Sequence, residues 1–292
     1  MADANSPNPQ APPPAARNAP PNQPPPNPAA VRPDKRESAK TAWVGLALTA
    51  LMIGGAWLAP GPWNWLIVLA AMAAFMAMLG VFISGNPLGI LINHRNLISL
   101  SRFQMVLWTL LILSAYFTLA LVRVKVWLTH AGQVPDPLAV GIDPHLWALM
   151  GISTTSLVGC SLLAGVKKVK EPDPAAVPKA ALTLGENAGD LEKNREGILY
   201  GNPQVSDARV TDMFQGDEVA DTAHIDLPKV QMFFFTLLVV AGYGVAIFNL
   251  MARPDAALAG ELPKLSDGVI ALLGISHAGY LTKKGISQTK TQ

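Results

Sequence analysis

The sequence SRFQMVLWTLLILSAY at residues 101–116 recurs, with its key residues in the same order and spacing, as PKVQMFFFTLLVVAGY at residues 228–243. Farther along the chain, ALMGIS at 148–153 matches ALLGIS at 271–276. Each copy is long enough to hold two apolar helices. A repeated hydrophobic hairpin is typical of membrane proteins assembled by duplication. The repeat therefore predicts an all-α membrane protein that contains two related helical hairpins.

The composition supports this class. The 292 residues are 50% hydrophobic and only 14% charged, with a mean hydropathy of +0.31, which is too apolar for an ordinary soluble domain. The formal net charge of +2 shows no nucleic-acid footprint, so we expect no nucleic-acid partner. Cys160 is the single cysteine and lies in an apolar run, so we expect it to be a small packing residue.

Six segments are apolar over nearly the ~20 residues that cross a bilayer core of about 30 Å. The sixth is marginal, but its repeat partner is strongly apolar, and related segments should behave alike. Trp57, Trp63 and Trp65 flank the turn between the first two segments and predict an aromatic belt. The six predicted transmembrane helices are at 42–59, 63–84, 103–122, 146–166, 230–251 and 266–282.

The remaining segments are polar. The first 33 residues hold twelve of the 25 prolines, which predicts a disordered tail, either a plain spacer or a PxxP ligand. The predicted parts are a Pro-rich tail at 1–40, a transmembrane hairpin at 41–85, an interfacial segment or plain connector at 86–100, the first repeat hairpin at 101–168, a loop with a short amphipathic helix at 169–227, the second repeat hairpin at 228–284 and a tail at 285–292.

The basic residues predict the orientation. Counted over alternate loops, 18 Lys and Arg fall on one side of the predicted membrane and 4 on the other. By the positive-inside rule this places both termini of the multi-pass protein in the cytoplasm. Each repeat hairpin then starts on the cytoplasmic side, so the two repeats are parallel.

The loop at 169–227 is rich in acidic residues toward its end. Their spacing fits no EF-hand, so we expect a solvated acidic face and no metal. Ser206 is a candidate N-cap for the short amphipathic helix, with Val210, Met213 and Phe214 on its apolar face and an end at Gly216. The acidic residues are Asp212, Asp217, Glu218, Asp221 and Asp226.

The first helix of each repeat carries one stripe of matched residues, which we expect to be its packing face. The second helix of each repeat has small residues four apart, Gly151 with Thr155 and Gly274 with Ala278, which would allow close helix packing. Ser153 and Ser276 follow these glycines. The stripes are Met105, Thr109, Ile112 and Tyr116 in the first copy and Met232, Thr236, Val239 and Tyr243 in the second.

His277 is the ionisable residue inside a predicted span. An ionisable group at that depth is a functional hypothesis by default. The alternative is a neutral histidine bonded to a backbone carbonyl or to Tyr243. A Gly-x-Ser in the fourth span and a histidine in the sixth also resemble the rhomboid intramembrane proteases, with Ser153 as nucleophile and His277 as base. The chain departs from that pattern at Thr154 and Tyr280, where the family has glycine.

A broader resemblance covers about 99–284. TDMFQGDE at 211–218, IDLPKVQMFFFT at 225–236 and LGISHAGYL at 273–281 resemble a family of uncharacterised bacterial multi-pass inner-membrane proteins. The resemblance implies the topology and a bacterial inner membrane, and it supplies no activity and no site residues.

The preferred function is a non-enzymatic scaffold or accessory subunit with cytoplasmic contact surfaces. One alternative is a small channel or carrier with a path past Ser153, Ser276 and His277, and a second is the protease. The expected partners are the lipid bilayer, a protein bound to the Pro-rich tail or to the loop at 169–227, and further copies of the chain. No motif indicates a cofactor.

Overall fold

The computed structural model describes residues 35–130 and 136–291. Over that part of the chain the secondary structure is helical, with isolated β-bridges and no β-strand. The α-helices in the described part are α1 (Lys35–Leu58), α2 (Trp63–Ser84), α3 (Leu100–Thr129), α4 (Pro144–Lys168), α5 (Ala176–Leu184), α6 (Ala188–Asn194), α7 (Leu227–Ala252) and α8 (Asp267–Gly285).

Five of the described helices, α1, α2, α3, α4 and α7, are long and apolar enough to cross a membrane. The described part of the chain is therefore all-α with five candidate membrane spans, as expected of an all-α membrane protein. The sixth predicted span forms α8, which packs along α4 and α7 but is not among the five. Its buried face carries the polar groups of His277 and Tyr280, and these lower its hydropathy.

Four helices form a closed ring, because α3 packs on α4 and α7, and α8 packs on the same two helices. Helix α2 packs against the outside of α3. The apolar core between the helices is dense and fully buried at several large side chains. These include Trp108, Ile112, Leu119, Leu146, Leu149, Ile247 and Leu273.

The predicted aromatic belt is wrong at Trp65. Trp63 is 61% exposed, but Trp65 is only 3% exposed and donates its indole N–H to Ser114 Oγ at 2.9 Å. Residues two positions apart along a helix point in different directions, so Trp65 faces the bundle although Trp63 does not. The Trp65 indole therefore bonds α3 instead of a lipid headgroup.

The polar segments at one end of the bundle fold together into what we call the head domain: residues 86–99, 169–226 and 286–291. Helices α5 and α6 pack on each other and on a small apolar cluster. The buried members of that cluster are Leu97, Val177, Ala180, Ala181, Leu191, Tyr200 and Val219.

The short amphipathic helix expected after Ser206 is absent from this part of the structure. Two 3₁₀ turns, Val205–Asp207 and Val210–Met213, lie there, separated by extended backbone. The carboxylates of Asp207 and Asp212 accept the backbone N–H groups three residues back, so each caps the start of its own short turn, and the extended backbone at Ala208 and Arg209 keeps the two turns from joining.

The segment before α3 is a folded part of the head domain rather than a plain connector. Ile92 and Ile98 pair across a tight turn at Asn96, whose φ is 57°, and both isoleucines are buried. Arg95 is buried between them and the rest of the head domain. Residues 1–34 of the predicted disordered tail (1–40) lie outside the described part of the chain. The last residues of that range are helical, because α1 begins at Lys35.

Candidate functional site

The joint between the head domain and the bundle is a buried cluster of charges centred on Asp217. Arg95 donates to Asp217 Oδ1 at 3.0 Å, and Lys284 donates to Oδ2 at 2.8 Å. Lys229 Nζ lies 3.3 Å from the same Oδ2. The three cations come from the connector before α3, from the first turn of α7 and from the last turn of α8. One carboxylate therefore ties three elements together.

The surroundings of Asp217 fix its charge. Burial alone would raise the pKa of this carboxyl, but Lys229, Lys284 and Arg95 hold the pKa well below its ordinary value of 3.8. Asp217 is consequently ionised at neutral pH and remains so in mild acid.

A second buried ion pair lies beside the first. Lys167, in the last turn of α4, donates to Glu218 Oε1 at 2.5 Å, and the two side chains are 5% and 1% exposed. Glu218 Oε2 accepts the backbone N–H groups of Gln288 at 2.8 Å and Thr289 at 2.6 Å. Glu218 therefore holds α4 and the C-terminal segment on the head domain.

The expected solvated acidic face is therefore wrong for most of these residues. Asp212, Glu218 and Asp226 are buried, and Asp226 pairs with Lys283 at 2.6 Å. Glu218 and Asp226 pair with lysines at the helix ends, and Asp212 accepts the backbone N–H groups of Ile98 and Arg209, so each buried carboxylate has a partner. Among the described residues, no group of His, Cys, Asp and Glu could hold a metal ion.

A polar layer lies deeper in the bundle and contains several of the candidate residues. Ser153 and His277 are both buried, at 2% and 4% exposure. Thr236 is buried and accepts a hydrogen bond from the Gln104 side-chain amide at 2.6 Å. Sequence reasoning missed Ser156 in this layer. A signal was present, since Ser153, Ser156 and Cys160 recur at helical spacing on one face of α4.

The two matched tyrosines lie at the far end of the bundle from the head domain. Tyr116 donates to the Leu138 carbonyl at 3.2 Å, and Tyr243 donates to the Pro263 carbonyl at 2.9 Å. Each tyrosine thus binds the connector that follows its own helix. Tyr243 is therefore not the hydrogen-bond partner of His277.

The matched stripes differ in burial. All four stripe residues of α7 are buried, whereas Met105, Thr109 and Tyr116 of α3 are only half-buried. Helix α3 is packed on three sides, by α2, α4 and α7. Its buried face includes Gln104 and Trp108, each one position before a residue of the predicted stripe.

The glycines of the second helices do not make the expected close contacts. Gly151 is exposed, a Cβ added there would meet nothing within 4 Å, and Thr155 and Ala278 are also exposed. Gly274 is half-buried beside Ile152, and Ser276 is half-buried. The tighter glycine contact between α4 and α8 is at Gly159, where an added Cβ would be 3.2 Å from Leu281 Cδ2. The rotation of α4 about its axis explains this, because Ser153 and Ser156 lie on the buried face of the helix and Gly151 and Thr155 lie on its exposed face.

The head domain also carries an apolar groove of about 650 Å³ against the first turns of α7. Ile225 on its rim is 77% exposed, and Phe234 is 59% exposed. Phe214 and Phe233 stack edge-to-face in its wall with ring centroids 5.0 Å apart.

A scan against protein-family models finds no match, and neither the curated proteins nor the solved structures match the chain.

Proposed function

We propose that the protein is a non-enzymatic inner-membrane scaffold or accessory subunit whose head domain is a cytoplasmic contact surface. The observation that carries the proposal is the joint at Asp217 and Glu218. These two carboxylates bind the ends of α4, α7 and α8 through buried ion pairs. A head held this firmly keeps a fixed position relative to the bilayer, which is what a docking platform requires.

The distribution of basic residues supports the cytoplasmic position of the head domain. The side with 18 Lys and Arg includes the whole of the head domain, and the other side has 4. With α8 as a sixth span, both termini are cytoplasmic and the two hairpins are parallel repeats. The resemblance to bacterial multi-pass proteins favours a bacterial inner membrane.

The exposed apolar side chains of the head domain support a protein partner. Leu182 on α5 is 84% exposed, and Ile225 at the apolar groove is 77% exposed. Exposed apolar patches on an otherwise polar domain mark interaction surfaces. The Pro-rich tail is a second proposed contact segment, and self-association of the bundle is a further proposal.

The channel or carrier alternative has less support. Ser153 and His277 do lie inside the bundle, but one helical turn farther from the head domain the side chains of Trp108, Leu149 and Leu273 are fully buried. An ion path through that apolar level would need charged or polar groups that these helices do not place there.

The protease alternative lacks its central contact. A serine nucleophile needs a hydrogen bond to its base. Ser153 Oγ has no hydrogen-bond partner among the described residues, so it does not bond His277.

The scaffold proposal is tested by the mass of the particle extracted from its own membrane in a lipid-preserving polymer. We expect the wild type to lie in an assembly well above its own 30.9 kDa. The variant Leu182→Glu should lose that mass, whereas Lys193→Glu, an exposed change on α6, should keep it. A wild-type particle that contains one copy of this chain and no other protein would contradict the proposal.

A further inference from the structure

Apart from Arg123 Nε near the far end of α3, four buried polar atoms in the bundle have no hydrogen-bond partner among the described residues. They are contributed by α3, α4 and α8, and their side chains are between 0% and 4% exposed. Buried polar atoms are almost always paired, so a group of four needs a specific explanation. The atoms are Gln104 Oε1, Ser153 Oγ, Ser156 Oγ and His277 Nδ1.

The four side chains lie within about one helical turn of one another along the bundle. Ser101 Oγ is 3.3 Å from Cys160 Sγ, which places α3 and α4 in register there. At 1.5 Å rise per residue, Gln104 is about 4.5 Å farther into the bundle, and Ser156 and Ser153 are about 6 and about 10 Å farther.

Helix α8 brings His277 to the same depth. Gly159 lies beside Leu281 and Ile152 lies beside Gly274, so residues of α8 are level with residues of α4 that precede them by 122 positions. His277 is therefore level with position 155, between Ser153 and Ser156. Gln104 binds Thr236 at 2.6 Å, which brings α7 to this depth too. All four helices of the closed ring thus contribute a buried polar residue to one layer.

The layer calls for a small neutral ligand. It offers an amide acceptor, two hydroxyls that both donate and accept, and an imidazole nitrogen. It contains no carboxylate, lysine or arginine, and an ion without a counter-charge at this depth would be strongly disfavoured. Water meets all four groups, since a buried water makes about three hydrogen bonds and suits a polar site of this kind.

The layer has polar neighbours on its head-domain side and apolar neighbours on its other side. Toward the head domain, Cys160 Sγ is 3.3 Å from the hydroxyl of Tyr280, which accepts from Lys284 Nζ at 3.1 Å. Together with Ser101, these groups form a continuous polar chain. On the other side, Trp108, Leu149 and Leu273 lie one turn beyond the layer and are at most 1% exposed.

We propose that this layer of Gln104, Ser153, Ser156, Thr236 and His277 is an internal water-binding site, reached along the polar chain from the head-domain side and sealed on the other side. Bound water there completes the hydrogen bonds of four helices at once. It thereby stabilises the bundle at the level where the side chains alone leave four atoms unpaired.

Water-edited solid-state NMR of the full chain in phospholipid vesicles tests the site directly. Histidine and tryptophan are labelled with nitrogen-15, and the His277 and Trp65 signals are assigned by loss in His277→Gln and Trp65→Phe. We expect magnetisation from water to reach the His277 ring severalfold faster than the Trp65 indole, which is buried and bonded to Ser114. Exposed His224 gives the upper reference. Transfer to His277 as slow as to Trp65 would overturn the proposal.

A matched pair of serine variants on α4 locates the water. Ser156→Val removes a water ligand and fills its space, so transfer to His277 should fall severalfold toward the Trp65 value. Ser161→Val is the control, because Ser161 is exposed and its hydroxyl binds the Leu157 carbonyl of its own helix. Unchanged transfer in a folded Ser156→Val protein would also overturn the proposal, and if that variant fails to fold, the wild-type comparison decides.

Discussion

Single carboxylates determine how the head domain is held. Asp217 and Glu218 are adjacent in sequence, yet each binds a different set of helix ends, and the Glu218 side chain is only 1% exposed. Breaking a buried ion pair at one partner is far more costly than breaking a surface pair, because the remaining charge stays buried. The sequence shows these residues as one acidic run and does not reveal that difference.

Removing the charge of Glu218 should strongly destabilise the protein. Glu218→Gln leaves the Lys167 ammonium buried without its counter-charge, and we expect a loss of about 3–5 kcal/mol in the free energy of unfolding. Glu171→Gln is the control, since Glu171 is 68% exposed and pairs with Arg195 at the surface, and it should cost less than about 1 kcal/mol. Denaturant unfolding in detergent measures both. Equal effects would show that the Glu218 pair is not buried in solution.

The low pKa of Asp217 predicts an acid limit to stability. A carboxyl whose pKa is depressed in the folded state stabilises the fold at every pH above its unfolded value, which is about 3.9. That contribution is lost only as the pH falls through the lower, folded-state pKa. Thermal unfolding should therefore show no loss from this group between about pH 7 and 5, and a decline below about pH 4. In Asp217→Asn this part of the decline should disappear, and a wild-type decline centred near neutral pH would contradict the assignment.

At the level of helices, the repeat and the hydropathy pattern indicate most of the architecture. Five helices are recognised by length and hydropathy, and α8 is indicated by its match to α4 alone. Its polar side chains face the bundle, so hydropathy undervalues it. The acidic segment could not be predicted, because Arg95 and Asp217 meet across 122 residues of sequence and nothing local marks the contact. The polar layer is likewise assembled from four separate helices.

The two repeated threonines provide a test of the polar layer at the helix level. Thr236 is buried and accepts the Gln104 amide, whereas its repeat partner Thr109 is half-buried and makes no side-chain hydrogen bond among the described residues. Thr236→Val should cost about 0.6–2 kcal/mol, the range for an interhelical polar contact in a membrane. Thr109→Val should cost less than about 0.5 kcal/mol, since it keeps the shape and removes no such contact. Steric trapping or denaturant unfolding in bicelles compares the two variants. A larger cost for Thr109→Val than for Thr236→Val would show that the buried face of α3 has been assigned wrongly.

At the largest scale, the described residues form a helical bundle with apolar spans and a head domain joined to it by ion pairs. The cations of that joint are the same lysines and arginines that predict which side faces the cytoplasm. Their two roles are consistent, because basic residues retained on the cytoplasmic side are available there to pair with the acidic segment. We propose that the head domain lies in the cytoplasm and that the connectors after α3 and α7 lie on the other side of the membrane.

Cysteine accessibility tests that claim most directly. In a Cys160→Ala background, one thiol is placed on the head domain by Lys193→Cys and another on a far connector by Leu138→Cys, where the native side chain is 68% exposed. A membrane-impermeant maleimide is then applied to intact cells and to inverted membrane vesicles. The account predicts that Leu138→Cys is labelled in intact cells and that Lys193→Cys is labelled only in inverted vesicles. Labelling of Lys193→Cys in intact cells would contradict it.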